Sequence, residues 1–530
     1  MNLPDTVPSS SREAPGNVPL PFALKQNIKD GMVALALGAW CFLRSWANLL
    51  FDGNRYYDNP EVRPVELLAL AANILAAGLL IWLGIRLWRR CQTGVASLAL
   101  DLLFLSLLVF PADFVRGEIV GLKYMRILEL VKDPPVILGL VIVLTVLIWK
   151  HRLAARTAAL VIVATLPVAL FVFIKIALAC CHLINLQGCS GAVSPPLLPV
   201  RPGQPRIVWI IFDETDYRLA FAQRPARLAL PEFDRLRQTA LFADHAYAPA
   251  DGTLISMPAL ISGRRLSGVC PDGCDLQLKM IDPPATNDWT AMPSIFSRAR
   301  EMGVNTALVG WYLPYARLLG VNLNYCSWYP MPNYQPVNST TFFGSMEQEL
   351  ACLAWPFRGS HIFIKICQAS LRDSLAVASD PKYGLILLHL PPPHSPGIYL
   401  PEKHEFTWRV MPATTGYFNN LALADNELGA VRRTMEGVGQ WDKSWVILSA
   451  DHSWRRSKMH DGVRDLRVPF LVKPPGAGQA LTYSNQMNTV VTHDLILAIL
   501  RDEVTNQSGA AAWLDAHARP DLPFLNGTTE

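Results

Sequence analysis

The 530-residue sequence is short of charge: Asp, Glu, Lys and Arg together make up 17%, where globular chains average about 25%. With 51% hydrophobic residues, this excludes a disordered chain. Lys and Arg number 47 against 43 Asp and Glu, a net charge of +4 with no dense basic block. Nucleic acid is therefore not expected as a partner. Ten cysteines are too sparse for a disulfide-stapled scaffold. The first 30 residues lack a basic segment leading into a short apolar core, so they do not read as a cleaved signal peptide. There is no internal repeat, and no apolar run of spanning length follows Leu183. The apolar excess, a mean hydropathy of +0.23, therefore sits in the N-terminal third.

Five apolar segments occupy that third, at 31–51, 65–88, 94–110, 135–149 and 157–183. A helix crossing a bilayer needs about 20 such residues. The second and fifth meet this, the third and fourth are a little short, and the first contains Arg44. Arg86, Arg89 and Arg90 follow the second segment, and Lys150, Arg152 and Arg156 separate the fourth from the fifth. The loop 52–64 offers only Arg55 and Arg63, beside Asp52, Asp58 and Glu61. The positive-inside rule then makes the N-terminus cytoplasmic. The expectation is a multi-pass protein of the plasma (inner) membrane with five transmembrane helices, everything after Leu183 lying on the periplasmic or extracellular side. Arg44 and Lys175, inside spans, are expected to snorkel to the outer interface, while Asp101 has no assignment. The stretch 112–134 reads equally as an amphipathic surface helix or a loop.

The expected organisation is a cytoplasmic segment at 1–30, a transmembrane domain at 31–185, a Pro/Gly-rich linker at 186–205, a catalytic domain at 206–505 and a tail at 506–530. From Arg206 onward, short apolar runs at 207–212, 305–309, 383–390, 444–449 and 468–472 alternate with helical spacing at 230–240, 293–302, 417–435 and 493–500. Alternation of this kind predicts an α/β domain, a mostly parallel central sheet with helices on both faces. Cys270 and Cys274 flank Pro-Asp-Gly, and disulfides are expected in an outward domain, with pairings that spacing alone does not give.

Sites in such sheets form at the carboxyl ends of strands. Three strand ends carry metal-ligand residue types: Asp213-Glu214, His389 with His394 in the following loop, and Asp451-His452. Carboxylates and imidazoles suit Zn²⁺ or Mn²⁺. Each alone reads as an ordinary cap or turn; their recurrence at strand ends is the signal. A fourth piece is Thr253, after Asp251-Gly252, where a helix would begin. It reads as a plain N-cap or as a nucleophile, since a metal activates a hydroxyl and free N–H groups at a helix start favour a phosphate or sulfate.

These four pieces resemble the alkaline phosphatase/sulfatase superfamily. The layout is similar to its membrane-bound phosphoalcohol transferases, among them lipid A phosphoethanolamine transferases and lipoteichoic acid synthases. Residues 207–215 (IVWIIFDET) resemble the first metal-binding strand and imply Glu214 as ligand, with Asp213 a second candidate. Residues 253–263 (TLISMPALISG) are similar to the nucleophile segment, with Thr253 as nucleophile and metal ligand and Ser256 a weaker alternative. Residues 389–399 (HLPPPHSPGIY) resemble a His-x4-His-x-Pro motif, implying that His394, its second His, faces the substrate phosphate as a catalytic residue, with His389 a further substrate-binding candidate. Residues 448–453 (LSADHS) resemble the Asp451-His452 metal pair, and His460 fits a later catalytic position. Two departures count. Asp213-Glu214 is closer to the paired acids of sulfatases, which leaves one or two metal ions open. Thr253 has no route to the formylglycine that sulfatases make from Cys or Ser.

The resemblance implies a divalent metal enzyme, with Zn²⁺ first and Mn²⁺ or Mg²⁺ as alternatives. Its activity would be transfer of phosphoethanolamine or phosphoglycerol from a phospholipid donor to a glycan or glycolipid acceptor through a phosphothreonine. The alternatives are a membrane-anchored hydrolase, a phosphodiesterase or phosphatase using the same nucleophile, and a non-catalytic membrane scaffold.

Overall fold

The structure, a computed structural model, describes residues 22–51, 62–90, 94–122, 127, 130–181, 192–330, 341–353, 355–476 and 478–523. The chain divides into two units. One holds the N-terminal helices together with Ser339–Leu353, and the other holds the remainder.

Among the described residues of the helical unit, two helices are long and apolar enough to cross a membrane: Pro64–Arg90 and Gly94–Gly117. This corrects the expected five. The first apolar segment is broken into Leu24–Cys41 and Leu43–Leu50, bent by 66°. The fourth ends at Trp149, where the chain bends by 89° into His151–Ala164. The fifth is divided between that helix and Leu166–Cys180, which is shorter than a span. Counting each bent pair as one span gives up to four among the described residues. Composition shows where apolar residues lie but not where the helix axis turns. No residue of Pro134–Trp149 is buried, which suits a helix facing lipid.

Gly38 and Gly78 let two of these helices touch. A Cβ on Gly38 would stand 2.9 Å from the Ile74 carbonyl and 3.0 Å from the Gly78 nitrogen. Arg44 and Lys175 both have partners within this unit. Arg44 pairs with Asp113 at 2.9 Å, and Lys175 donates to the Leu50 carbonyl. Asp101, fully buried, pairs with His151. Residues 112–119 are helical, as far as Ile119. The helix Phe342–Leu353, far away in sequence, belongs to this unit, and Asn73 donates to Glu349 at 2.8 Å.

The second unit is built on an eight-stranded sheet. Its strands in chain order are β1 (Arg206–Phe212), β2 (Leu241–Ala243), β3 (Thr306–Tyr312), β4 (Tyr325–Pro330), β5 (Leu385–Leu390), β6 (Ser444–Ser449), β7 (Phe470–Lys473) and β8 (Leu481–Tyr483). Across the sheet the order is β8-β2-β7-β6-β1-β5-β3-β4. Only β7 runs against the others. Strand β1 is buried throughout, and its side chains alternate. Ile207, Trp209 and Ile211 enter one apolar core, while Val208, Ile210 and Phe212 enter the other. Both faces are therefore covered, as the alternating pattern predicts.

Three features differ from the sequence reading. Residues 266–288 form a separate antiparallel ribbon of three strands. Part of the 186–205 linker, from residue 192 on, is fastened to the domain: Leu198 exchanges hydrogen bonds with the Asn305 side chain at 2.8 Å in both directions. The tail carries a helix, Gln507–His517, capped by Asn506, with Ala510 and Leu514 in the core. Cys274 is disulfide-bonded, and Cys270, Cys326 and Cys367 are free.

Candidate active site

The carboxyl ends of β1, β5 and β6 lie side by side, because β1 pairs in parallel with both neighbours. Asp213 follows β1, His389 lies within β5, and Asp451 and His452 follow β6. Asp213, Asp451 and His452 each offer one ligand atom, and these atoms all lie within 4.8 Å of one another. His452 Nε2 is 3.5 Å from both Asp213 Oδ1 and Asp451 Oδ2. The other ring nitrogen, Nδ1, is 3.0 Å from the Ser453 carbonyl, which leaves Nε2 free to face the carboxylates.

Both carboxylate oxygens of Asp213 are fully buried without a hydrogen-bond partner of normal geometry. Burial pushes its pKa well above the usual carboxylate range. The negative charges of Asp451 and Glu214 add to this, and Arg455 and the Trp311 indole oppose it. Burial would also raise Asp451. The charges of His452 and His389, the Thr253 hydroxyl and the Glu214 N–H outweigh it and hold Asp451 below the ordinary value. Two oxygens and a nitrogen converging in a buried place, with one acid left without a hydrogen bond, fit a divalent cation.

Thr253 opens the helix Thr253–Ser262, with Gly252 as N-cap. Its hydroxyl donates to Asp451 Oδ2 at 2.6 Å and lies 3.3 Å from His452 Nε2. Ser256 is committed elsewhere. Buried, it exchanges hydrogen bonds with the backbone of Ala250 at 3.0 Å. The helix ends on Gly263 at φ +67°, in the left-handed region, where a Cβ would meet His493 Nδ1 at 2.5 Å. That accounts for the glycine closing the motif.

Glu214 takes a different place from Asp213. Its carboxylate lies 3.4 Å from Arg455 Nε, and its backbone N–H donates to Asp451 Oδ1 at 3.1 Å. The geometric cluster thus contains Asp213, the second candidate of the sequence reading, where Glu214 was the first. His389 is fully buried, with Nδ1 2.9 Å from the Tyr315 hydroxyl and Nε2 without a partner. Burial pushes its imidazole down to about 4, so the ring is neutral at neutral pH. His394, half-buried, stands edge-on to Trp311 with ring centroids 5.0 Å apart. Its pKa is lowered by burial, against the pull of Glu214.

His460 is placed apart. It lies on an exposed short helix, Lys458–Asp461, with its ring against Phe418 at 4.9 Å. The bidentate pairing of Arg218 with Asp461 fixes that helix. Sequence spacing gave only its order along the chain. Residues missed by the sequence reading are Tyr315, Trp311, Arg455 and Arg464, which pairs with Asp251 beside the nucleophile. Aromatic residues and arginines in loops carry no spacing signal that would have found them.

The sulfatase family model matches residues 205–501, more than half of the chain. The chain belongs to the sulfatase family. Solved structures similar to this sulfatase-family chain include that of Ps i-CgsB in complex with a neocarrahexaose. It is 16% identical, with 61% of this chain and 75% of that one covered and a TM-score of 0.41. A protein of the alkaline phosphatase superfamily from Vibrio parahaemolyticus is 14% identical, over 57% and 68%, at 0.38. The phosphonate monoester hydrolase of Agrobacterium radiobacter is 13% identical, over 56% and 74%, at 0.37. No curated protein sequence matches the chain.

Proposed function

We propose that this sulfatase-family chain transfers a phosphoalcohol, phosphoethanolamine or phosphoglycerol, from a phospholipid to a glycan or glycolipid of the cell envelope. The transfer runs through a phosphothreonine at position 253. The observation that carries this reading is the 2.6 Å hydrogen bond from the Thr253 hydroxyl to Asp451, beside Asp213 and His452. The two long apolar helices support a donor held in the same membrane. The reading includes a multi-pass protein of the inner membrane with its catalytic domain outside, and the disulfide at Cys274 supports that side.

One or two divalent cations, Zn²⁺ or else Mn²⁺ or Mg²⁺, held by Asp213, Asp451 and His452 with Glu214 beside them, would supply positive charge that favours the Thr253 alkoxide. Thr253 Oγ1 passes its proton to His394 and bonds to the phosphorus of the lipid head group. The bond from phosphorus to the glycerol oxygen breaks, and that oxygen takes a proton from His394 to leave as diacylglycerol. His389 Nδ1 lies 2.9 Å from the Tyr315 hydroxyl; with that hydroxyl as donor, His389 carries its proton on Nε2, where it donates to a phosphoryl oxygen. An acceptor hydroxyl then gives its proton to His394 and attacks phosphorus, and the bond to Thr253 breaks as Thr253 Oγ1 takes that proton back.

The test incubates wild type and Thr253→Ala with mixed phospholipids and reads diacylglycerol and the mass of the peptide containing Thr253. An adduct and diacylglycerol in wild type only are expected, with product rising when acceptor glycolipid is added. Free phosphoalcohol formed equally without acceptor would make the chain a hydrolase instead. Diacylglycerol from Thr253→Ala would sink the nucleophile.

A further inference from the structure

Glu214 stands at φ +64°, in the left-handed region that side-chain-bearing residues rarely adopt. Two hydrogen bonds hold it there. Its N–H donates to Asp451 Oδ1 at 3.1 Å, and its carbonyl accepts from the Tyr417 hydroxyl at 3.0 Å. The same hydroxyl accepts from the Asp216 N–H at 2.9 Å. Tyr417, on the helix Ala413–Gly437, thus grips the turn on both sides of Thr215. Burial, with the charge of Asp216 behind it, raises the phenol pKa well above its ordinary value, so the group stays a donor.

The ring is held as firmly. It stacks on Trp454 with centroids 4.0 Å apart and planes 7° apart. Trp454 follows His452 by two residues. Tyr417 therefore ties the loop bearing Asp213 and Glu214 to the loop bearing Asp451 and His452, while both of its hydroxyl bonds go to main chain. In a regular strand consecutive side chains point to opposite faces. The left-handed residue breaks that alternation where the two acids meet.

We propose that Tyr417 is a positioning residue for the cation site: its hydroxyl fixes the left-handed turn at Glu214 and so sets where Asp213 presents its carboxylate to Asp451 and His452. The inference rests on the metal-binding part of the proposed function, and on neither the lipid donor nor the acceptor. Outer partners of this kind are worth about 10- to 100-fold in metal affinity.

The experiment titrates the full-length protein in detergent with Mn²⁺ alone, read by calorimetry and by the Mn²⁺ paramagnetic resonance line shape. Tyr417→Phe keeps the stacked ring and removes the hydroxyl. Affinity is expected to fall about 10- to 100-fold, with an altered line shape. Phe418→Leu, which changes the neighbouring ring and makes no polar contact to the turn, is expected to stay within about twofold. Should Tyr417→Phe fail to fold, Trp454→Phe loosens the ring and spares the hydroxyl, with an expected loss of about 3- to 10-fold. Wild-type affinity in Tyr417→Phe, or in Trp454→Phe where that stands in for it, overturns the proposal. So does an equal loss in Phe418→Leu. A wild type that binds no Mn²⁺ overturns the metal part of the proposed function as well. One that binds Mn²⁺ and releases no diacylglycerol sinks the lipid donor and leaves the role of Tyr417 standing.

Discussion

The Thr253 hydroxyl lies within 3.3 Å of His452 Nε2 while donating to Asp451 Oδ2 at 2.6 Å, so one oxygen touches two of the three residues that converge at the strand ends. Removing that oxygen removes the bond-forming atom. Thr253→Ala is expected to lower diacylglycerol release by at least about 10³-fold. Its melting temperature should stay close to wild type, because Gly252 occupies the helix cap. Thr253→Ser keeps the hydroxyl and should retain measurable turnover. Equal activity in Thr253→Ala would remove the residue from the chemistry.

Asp213 and Glu214 differ in their partners, and the two isosteric amides should separate them. Asp213→Asn is expected to weaken Mn²⁺ binding by about 100-fold or more, and Glu214→Gln by about tenfold. The metal-free proteins should differ in the opposite sense. Asp213 keeps two buried oxygens unpartnered, so neutralising it should raise the melting temperature of the metal-free protein. In wild type, Mn²⁺ at 100 times its Kd should add about 2.7 kcal/mol, and chelation should remove it. Differential scanning with and without chelator reads both effects, and an unchanged metal-free melt in Asp213→Asn would count against a strained apo site.

Gly263→Ala should cost about 2–4 kcal/mol, since it combines a left-handed φ with a Cβ placed 2.5 Å from His493 Nδ1. His493→Ala in the same chain should recover part of that loss by removing the clash. Thermal unfolding of the two single variants and the double variant measures the coupling, and strictly additive losses would refute the contact.

Asp425 accepts hydrogen bonds from the Glu232 N–H at 3.0 Å and the Phe233 N–H at 2.8 Å, steadying the start of the helix Pro231–Arg237. Burial pushes its carboxyl up to about 6, against the pull of those N–H groups. The folded state therefore keeps a proton that the unfolded chain has lost between roughly pH 4 and 6, and stability falls as pH rises across that window. At about 1.4 kcal/mol per pH unit the loss is at most about 3 kcal/mol. Asp425→Asn should flatten this part of the melting-temperature profile, and an unaltered slope would reject the assignment.

The α/β core was legible because its strands are apolar on both faces. The run 444–449 is a strand at the positions read from the sequence, and 207–212 and 383–390 differ only at their ends. Strands whose apolar content is thin or brief, such as Leu241–Ala243 and Leu481–Tyr483, went unread. The strand-end residues Asp213, Asp451 and His452 stood out by type and place. The rank of Asp213 over Glu214 in the cluster did not, and no residue type in the sequence announces the left-handed φ at Glu214. In the helical unit, hydropathy located the apolar stretches but was blind to the breaks near Phe42 and Lys150, which turn the axis without changing composition.

The helix Phe342–Leu353 sets a practical boundary. Because its residues lie between strands of the sheet in sequence yet belong to the helical unit, a single cut at the linker cannot divide this protein into two self-sufficient fragments. A fragment starting at Arg206 would carry Ser345 and Glu349, both fully shielded in the intact chain, into water without the helix that supplies Asn73. Such a fragment should be prone to self-association until residues 339–353 are excised or replaced by a short polar bridge. The protein is better purified and assayed whole.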